Sequence, residues 1–216
     1  MRSRLLAVAV AALAAGTGCV ALPFAAPPVV LAAGGGPRTS SRDGGDLTYD
    51  LRAGVSPFGI SGDWVRRRGD LSFGYVYAGG SSARLHEVYV RGGVVAASRR
   101  ASDGVLRVVP HAEVRGLYDP SLGRLGRGAS LGVVAELAAP ASGPISSTSA
   151  RGGVVGVAVG EGGFGLYADL AVLDLEERFG PKNRQGQDRG YVALAFTAGL
   201  TVRVPATAGI VWAFLH

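Results

Sequence analysis

The clearest pattern in the chain runs from Arg189 to Val204, RGYVALAFTAGLTVRV. Val192, Leu194, Phe196, Ala198, Leu200, Val202 and Val204 occupy alternate positions, and Ala193, Ala195, Thr197, Gly199, Thr201 and Arg203 lie between them. Successive side chains of a strand point to opposite faces, so this segment predicts a strand with one apolar face and one small or polar face. It is long for a globular strand and suits a tilted strand in a barrel wall.

The same alternation predicts strands over 46–56, 69–79, about 83–98, 105–117, 129–138, 152–160, 163–175 and 208–215. Gly92-Gly93 interrupts the third of these and suggests a bulge. Gly160-Glu161-Gly162-Gly163 predicts a hairpin turn. Connections at 57–68, 139–151 and 176–188 are long and polar or rich in Gly and Pro, whereas those at 79–83, 160–163 and 204–208 are short. No alternation of strands with helices is present, which argues against a parallel α/β sheet. The expected fold is therefore all-β, an antiparallel up-and-down β-barrel of about eight strands. The segments number eight or nine, so either one is misdivided or the last lies outside the closed wall. Pro110 stands against a closed ladder, because proline has no N–H to donate.

Of the 216 residues, 48% are apolar and 35 are Gly. That apolar content argues against a chain dominated by disorder. The net charge of +6 comes almost wholly from scattered Arg residues. No basic block interleaved with aromatics appears, so no nucleic-acid partner is expected, and Arg66-Arg67-Arg68 reads as a solvated loop. Arg2 and Arg4 followed by the short apolar run Leu5 to Ala15 predict a signal peptide over 1–18, too short for a membrane span. Residues 19–45, with Pro23, Pro27, Pro28, Gly34, Gly35, Gly36 and Pro37, read as a flexible tether. The barrel domain is expected over 46–216. Cys19 is the lone Cys and has no intrachain partner.

Gly16-Thr17-Gly18-Cys19 resembles the lipobox of bacterial lipoproteins, which implies cleavage before Cys19 and its lipidation. The alternative is cleavage near Leu31-Ala32-Ala33, which would discard Cys19. With this leader, the period-two segments, the Gly content and the aromatic finish Trp212-Ala213-Phe214, the chain resembles the small eight-stranded outer-membrane β-barrels of Gram-negative bacteria. That resemblance implies an outer-membrane protein with membrane lipid as its partner. Tyr75, Tyr77, Tyr118 and Tyr191 lie toward segment ends, where interfacial girdles would fall. A soluble, lipocalin-like periplasmic carrier remains the alternative, with the apolar face turned inward.

Candidate chemistry is sparse. Gly160 to Gly165 fits the spacing of a dinucleotide-binding turn, and Gly128 to Gly132 fits a nucleophile elbow around Ser130; each needs a following helix that the pattern does not supply. His111 and Glu113 could serve as an acid–base pair or as metal ligands, but no wider ligand set accompanies them, so no metal and no cofactor are expected. The stronger expectation is a polar cluster. Asp50, Arg52, Arg107, His111, Glu113, Arg115, Glu136, Asp169 and Arg203 each lie opposite the apolar set of their segment, so one strand registration puts all nine on one face. Charges enclosed in a narrow barrel must pair, which points to a filled lumen and a structural or binding role rather than catalysis. A lipid-modifying hydrolase built on Ser130 or His111 is the third, less favoured reading.

Overall fold

The computed structural model describes residues 19–41, 44–57, 69–81, 84–120, 123–149, 152–176 and 190–214. They form eleven strands: β1 (Cys19–Ala26), β2 (Val29–Ser40), β3 (Gly44–Val55), β4 (Gly69–Gly80), β5 (Arg84–Val94), β6 (Ala97–Ala101), β7 (Gly104–Asp119), β8 (Arg124–Ser149), β9 (Gly152–Glu176), β10 (Tyr191–Val204) and β11 (Ala206–Phe214). All pairings are antiparallel, and no helix occurs among the described residues. The fold is all-β, with eleven strands rather than about eight.

Eight of the strands close on themselves. β2 pairs with β3, then β4, β5, β7, β8, β9 and β10 follow in turn, and β10 returns to β2. Directly opposed residues can be followed from Leu31 on β2 through Ala53, Tyr75, Val88, Gly116, Arg127, Asp174 and Val192. Val192 then accepts the backbone N–H of Ser41, ten residues beyond the starting point on the same stretch of chain. A ring of eight strands with that stagger requires a tilt of roughly 40°. Such a ring leaves an interior just wide enough for side chains to fill.

Three strands lie outside the ring. β6 continues β5 beyond a break at 95–96 and pairs with the start of β7. β8 and β9 run on together beyond the wall, and β11 and then β1 add to the free side of β9. The result is a four-stranded extension at one end, in the order β8, β9, β11, β1.

Two offsets in the ladder separate wall from extension. Gly93 opposes His111 and Ala97 opposes Val108, so the β5–β6 side carries one extra residue. This bulge lies at 94–96, just after the expected Gly92-Gly93. Pro110 faces it, at a place where neither β5 nor β6 pairs with β7, which is why a proline fits a closed ring. The second offset is on β9, where Gly163 opposes Arg203 and Val159 opposes Ala206. Gly160 to Gly162 is therefore a bulge inside one continuous strand, not the expected hairpin turn. Gly160 has φ of 104°, a conformation that side chains strongly disfavour.

Several expected elements differ from those observed. Residues 29–40, read as tether, form β2 and close the ring; Gly34, Gly35, Gly36 and Pro37 act as wall residues. The segments 152–160 and 163–175 are one strand, and 139–149 continues β8 instead of forming a loop. Residues 208–215 fall mostly in β11, outside the ring. Loops are not segregated by length. The short turns after β2, β4 and β7 share one end with the longer connection from β9 to β10, while the connection from β3 to β4 lies at the other. The expected signal peptide and the Arg66 to Arg68 run lie outside the described residues.

Gly160→Val should lower stability by about 1–3 kcal/mol through strain at positive φ. Gly92→Ala, where an added Cβ meets nothing within 4 Å, should leave it unchanged or raise it by up to about 1 kcal/mol. Equilibrium urea unfolding of both variants checks the contrast.

Candidate functional site

Alternation sorts the wall into two populations. Outward positions from mid-wall toward the extension are apolar: Leu31, Leu51, Phe73, Val90, Val114, Leu131, Val133, Leu166, Leu170, Leu200 and Val202 are all exposed. The outward charged or imidazole side chains of the ring strands, Arg84, His86, Arg127 and Asp174, sit toward the short-turn end. Inward positions carry the charge.

All nine residues of the expected cluster are buried in the ring interior. They fall in two neighbouring groups rather than one. The middle group is centred on Glu113 and Asp169. Arg52 approaches Asp50 at 2.6 Å, Asp169 at 2.7 Å and Glu113 at 3.4 Å. Arg115 meets Glu113 at 2.5 Å. His111 donates from Nε2 to Asp169 Oδ1 at 2.7 Å, since a carboxylate can only accept. The second group lies toward the extension, where Arg107 meets Glu136 at 2.6 Å and Arg203 approaches the same carboxylate at 3.5 Å.

The structure adds members that the pattern did not reveal. Arg91 donates to Glu113 at 2.9 Å and lies 3.4 Å from Asp169, and Glu87 accepts from Arg115 at 2.8 Å. Both come from β5, where Leu85, Glu87, Tyr89 and Arg91 face inward. Their alternation was legible, but Leu85 and Tyr89 share the polar face and His86 sits on the apolar one, which blurs the segment. Tyr167 donates to Asp50 at 2.6 Å and lies under the Arg52 guanidinium, 5.0 Å from ring centroid to Cζ. Asp70 and Ser56 extend the second group through Arg203, at 3.1 and 2.7 Å, and Glu161 extends it through Arg107 at 3.1 Å. The middle group thus sets four carboxylates (Asp50, Glu87, Glu113, Asp169) against three guanidiniums and His111.

Glycine makes the room. Gly132 faces inward between His111 on β7 and Asp169 on β9. An added Cβ there would collide with Asp169 Oδ1 and with His111 Nε2, so the hydrogen bond between them passes over a bare stretch of wall. Gly34 seats the Tyr167 hydroxyl and Gly54 the Tyr89 hydroxyl in the same way. The short-turn end of the interior carries an apolar cluster beside buried Arg38, Asp119 and Arg124. Leu85, Leu117, Leu173, Leu175, Ala193 and Tyr191 pack together there. Tyr191 is therefore an interior residue and not part of an outer girdle, whereas Tyr75 and Tyr118 are exposed and Tyr77 is half-buried on the outside.

Ser130 lies within the continuous strand β8 and accepts from Arg115 at 3.2 Å, while His111 is committed to Asp169. The glycines from 160 to 165 sit within β9, with no helix after them to hold a phosphate. No group of three His, Cys, Asp or Glu residues placed to hold a metal occurs among the described residues. No family model, characterised protein or solved structure matches the chain.

Glu113→Ala would leave Arg52, Arg91 and Arg115 facing an empty position in the interior. Such a change should cost about 3–5 kcal/mol, because uncompensated buried charge remains. Arg127→Ala removes an exposed ion pair and should cost under about 1 kcal/mol. Parallel denaturant titrations give both numbers, and a small effect at Glu113 would mean that water reaches the cluster.

Proposed function

We propose that the ring is a β-barrel embedded in the outer membrane of a Gram-negative envelope, with a structural or binding role and a plugged lumen. One observation carries the reading: polarity is inverted, with ions inside and an apolar belt outside. Along strands tilted by roughly 40°, each residue climbs about 2.5 Å, so the ten or so uncharged levels between Arg127 on β8 and the exposed Arg99 and Arg100 of β6 make a belt about 25 Å high. That is the height of the lipid-facing band of outer-membrane barrels. An open sheet edge would be costly in hydrocarbon, and the ring has none within the belt. Tyr49, Tyr77, Tyr118 and His86 form a patch across β3, β4, β5 and β7 at the belt's border, as amphipathic rings do at a membrane interface.

The lumen carries no current in this reading. Two ion-pair groups fill its middle and one end, and the leucine cluster, with buried Arg38, Asp119 and Arg124, fills the other. Catalysis is not part of the proposal, since Ser130 and His111 are enclosed and committed to other partners. Lipidation at Cys19 would add a second anchor. Cys19 opposes Phe214 at the far end of the extension, so that lipid would attach away from the belt. The mass of the membrane-extracted protein reports it: a chain beginning at a diacylated Cys19 is expected, and one still carrying Met1 rules lipidation out.

Leu131 is 70% exposed at mid-belt, and Leu131→Arg separates membrane from water. In a bilayer the change should cost about 2–4 kcal/mol, and the unboiled, compact band on a gel should weaken. For a soluble carrier the cost should be near zero and the protein should stay in the supernatant without detergent, which would overturn the membrane reading.

A further inference from the structure

The outward wall is not featureless at its polar border. A groove of about 450 Å³ opens there, lined by Tyr75, His86, Val88, Gly116, Tyr118 and Leu125. Its cause is local. Gly116 stands in register between Val88 on β5 and Arg127 on β8, and its missing side chain leaves a trough on an otherwise continuous face. Tyr75 and Tyr118 flank the trough, and a hydrogen bond between the Tyr75 hydroxyl and His86 Nδ1 fixes one side of it. The volume is that of a small-ligand site.

Strand tilt decides which end of the groove is polar. Along the row Tyr75, Val88, Gly116, Arg127, Asp174 the path descends toward the short-turn end, because the same row meets the extension end of β2 at Leu31 and its turn end at Ser41. Arg127 and Asp174, which do not line the groove, therefore stand just beyond its turn-side end as an outer lip, and Tyr75 and Val88 lie further into the belt. Arg127 is 74% exposed and lies 3.5 Å from Asp174, itself 35% exposed. The lip thus offers one cation and one anion side by side, while the trough is mainly apolar and aromatic, with His86 and Glu87 also in its lining.

We propose that this groove binds one ethanolamine glycerophospholipid, a proposal that rests on the membrane reading above. The lipid phosphate meets the Arg127 guanidinium, whose planar fork suits phosphate oxygens. The ammonium lies toward Asp174, and one acyl chain runs over Gly116 between Tyr75 and Tyr118. A zwitterionic headgroup satisfies both lip charges at once, whereas an anionic headgroup without an amine would leave Asp174 beside a phosphate.

Native mass spectrometry of the full chain in mild detergent tests this with phosphatidylethanolamine, phosphatidylglycerol and free phosphoethanolamine. Phosphatidylethanolamine should bind one to one, phosphatidylglycerol more weakly, and the free headgroup not measurably. Gly116→Leu fills the trough; its Cβ meets only Val88 Cγ2, at 3.3 Å, so the backbone need not move. That variant should weaken phosphatidylethanolamine about tenfold, and Arg127→Gln should do the same from the other end. A heat-modifiable band confirms that each variant keeps the ring; where Gly116→Leu loses it, Arg127→Gln decides. Unchanged binding in the folded variants overturns the site while leaving the membrane reading intact. A wild-type chain that never enters the membrane removes both.

Discussion

Pairing of buried charge governs the interior of this protein. Moving an ion out of water costs several kcal/mol even after relaxation, so each interior carboxylate and guanidinium requires an opposite partner at contact distance. Glu113 answers this by sitting among Arg52, Arg91 and Arg115, and Asp169 by sitting among Arg52, Arg91 and His111. Arg115–Glu113 lies along one strand and Arg91–Glu113 joins neighbouring ones, but Arg52 on β3 reaches Glu113 on β7 and Asp169 on β9 only once the ring has closed. The interior is then a closure condition: an open sheet would expose the ions to water and lose the reason for their placement.

Long polar side chains in a narrow ring need bare wall opposite them. Gly34, Gly54 and Gly132 supply it beneath Tyr167, Tyr89 and the His111–Asp169 pair. At these three positions glycine is explained by space rather than by backbone freedom. Gly44, Gly123 and Gly160 differ, having positive φ, and at Gly160 this lets β9 bulge. That bulge adds one residue to the strand and shifts its parity. Phe164, Leu166 and Leu170 are exposed below it at even positions, and Val155, Val157 and Val159 are exposed above it at odd ones. One extra residue therefore keeps the apolar face outward from the wall into the extension.

How much of this could be read from the chain depended on contrast between the two faces. Residues 105–117 and 189–204 alternate cleanly, and their inward sets include Arg107, His111, Glu113, Arg115 and Arg203. β5 hides Glu87 and Arg91 because its inward face mixes Leu85 and Tyr89 with the charges. β2 was illegible for a different reason: Gly34-Gly35-Gly36-Pro37 suggests a chain breaker locally, and only its neighbours β3 and β10 give those small residues a use. The long hairpin of β8 and β9 was divided by its own Pro and Gly residues, which in place tolerate pairing because each strand holds the other along its full length. Division of the cluster into two groups depends on strand stagger, a property that no single segment records.

Period two alone never says which face meets water, and here the interior supplies the discriminating argument. Hydrophobic closure of a soluble ring requires apolar surface to leave water for the inside, at about 25 cal/mol per Å². In this ring the largest inward apolar cluster lies at the short-turn end, around Leu85, Leu117, Leu173 and Leu175, with a smaller one at Val109, Val134 and Tyr167. The remaining interior offers mainly ions and hydroxyls, whose burial at best offsets its own desolvation. Meanwhile Leu51, Leu131, Leu166, Leu170 and Leu194 stay on the outside. In water that arrangement forgoes the main driving force of folding and leaves a large apolar face exposed. Surrounded by hydrocarbon, the same face carries no penalty, and the ladder of the closed ring satisfies backbone groups that lipid cannot. The membrane proposal is therefore an argument about energetics before it is one about resemblance.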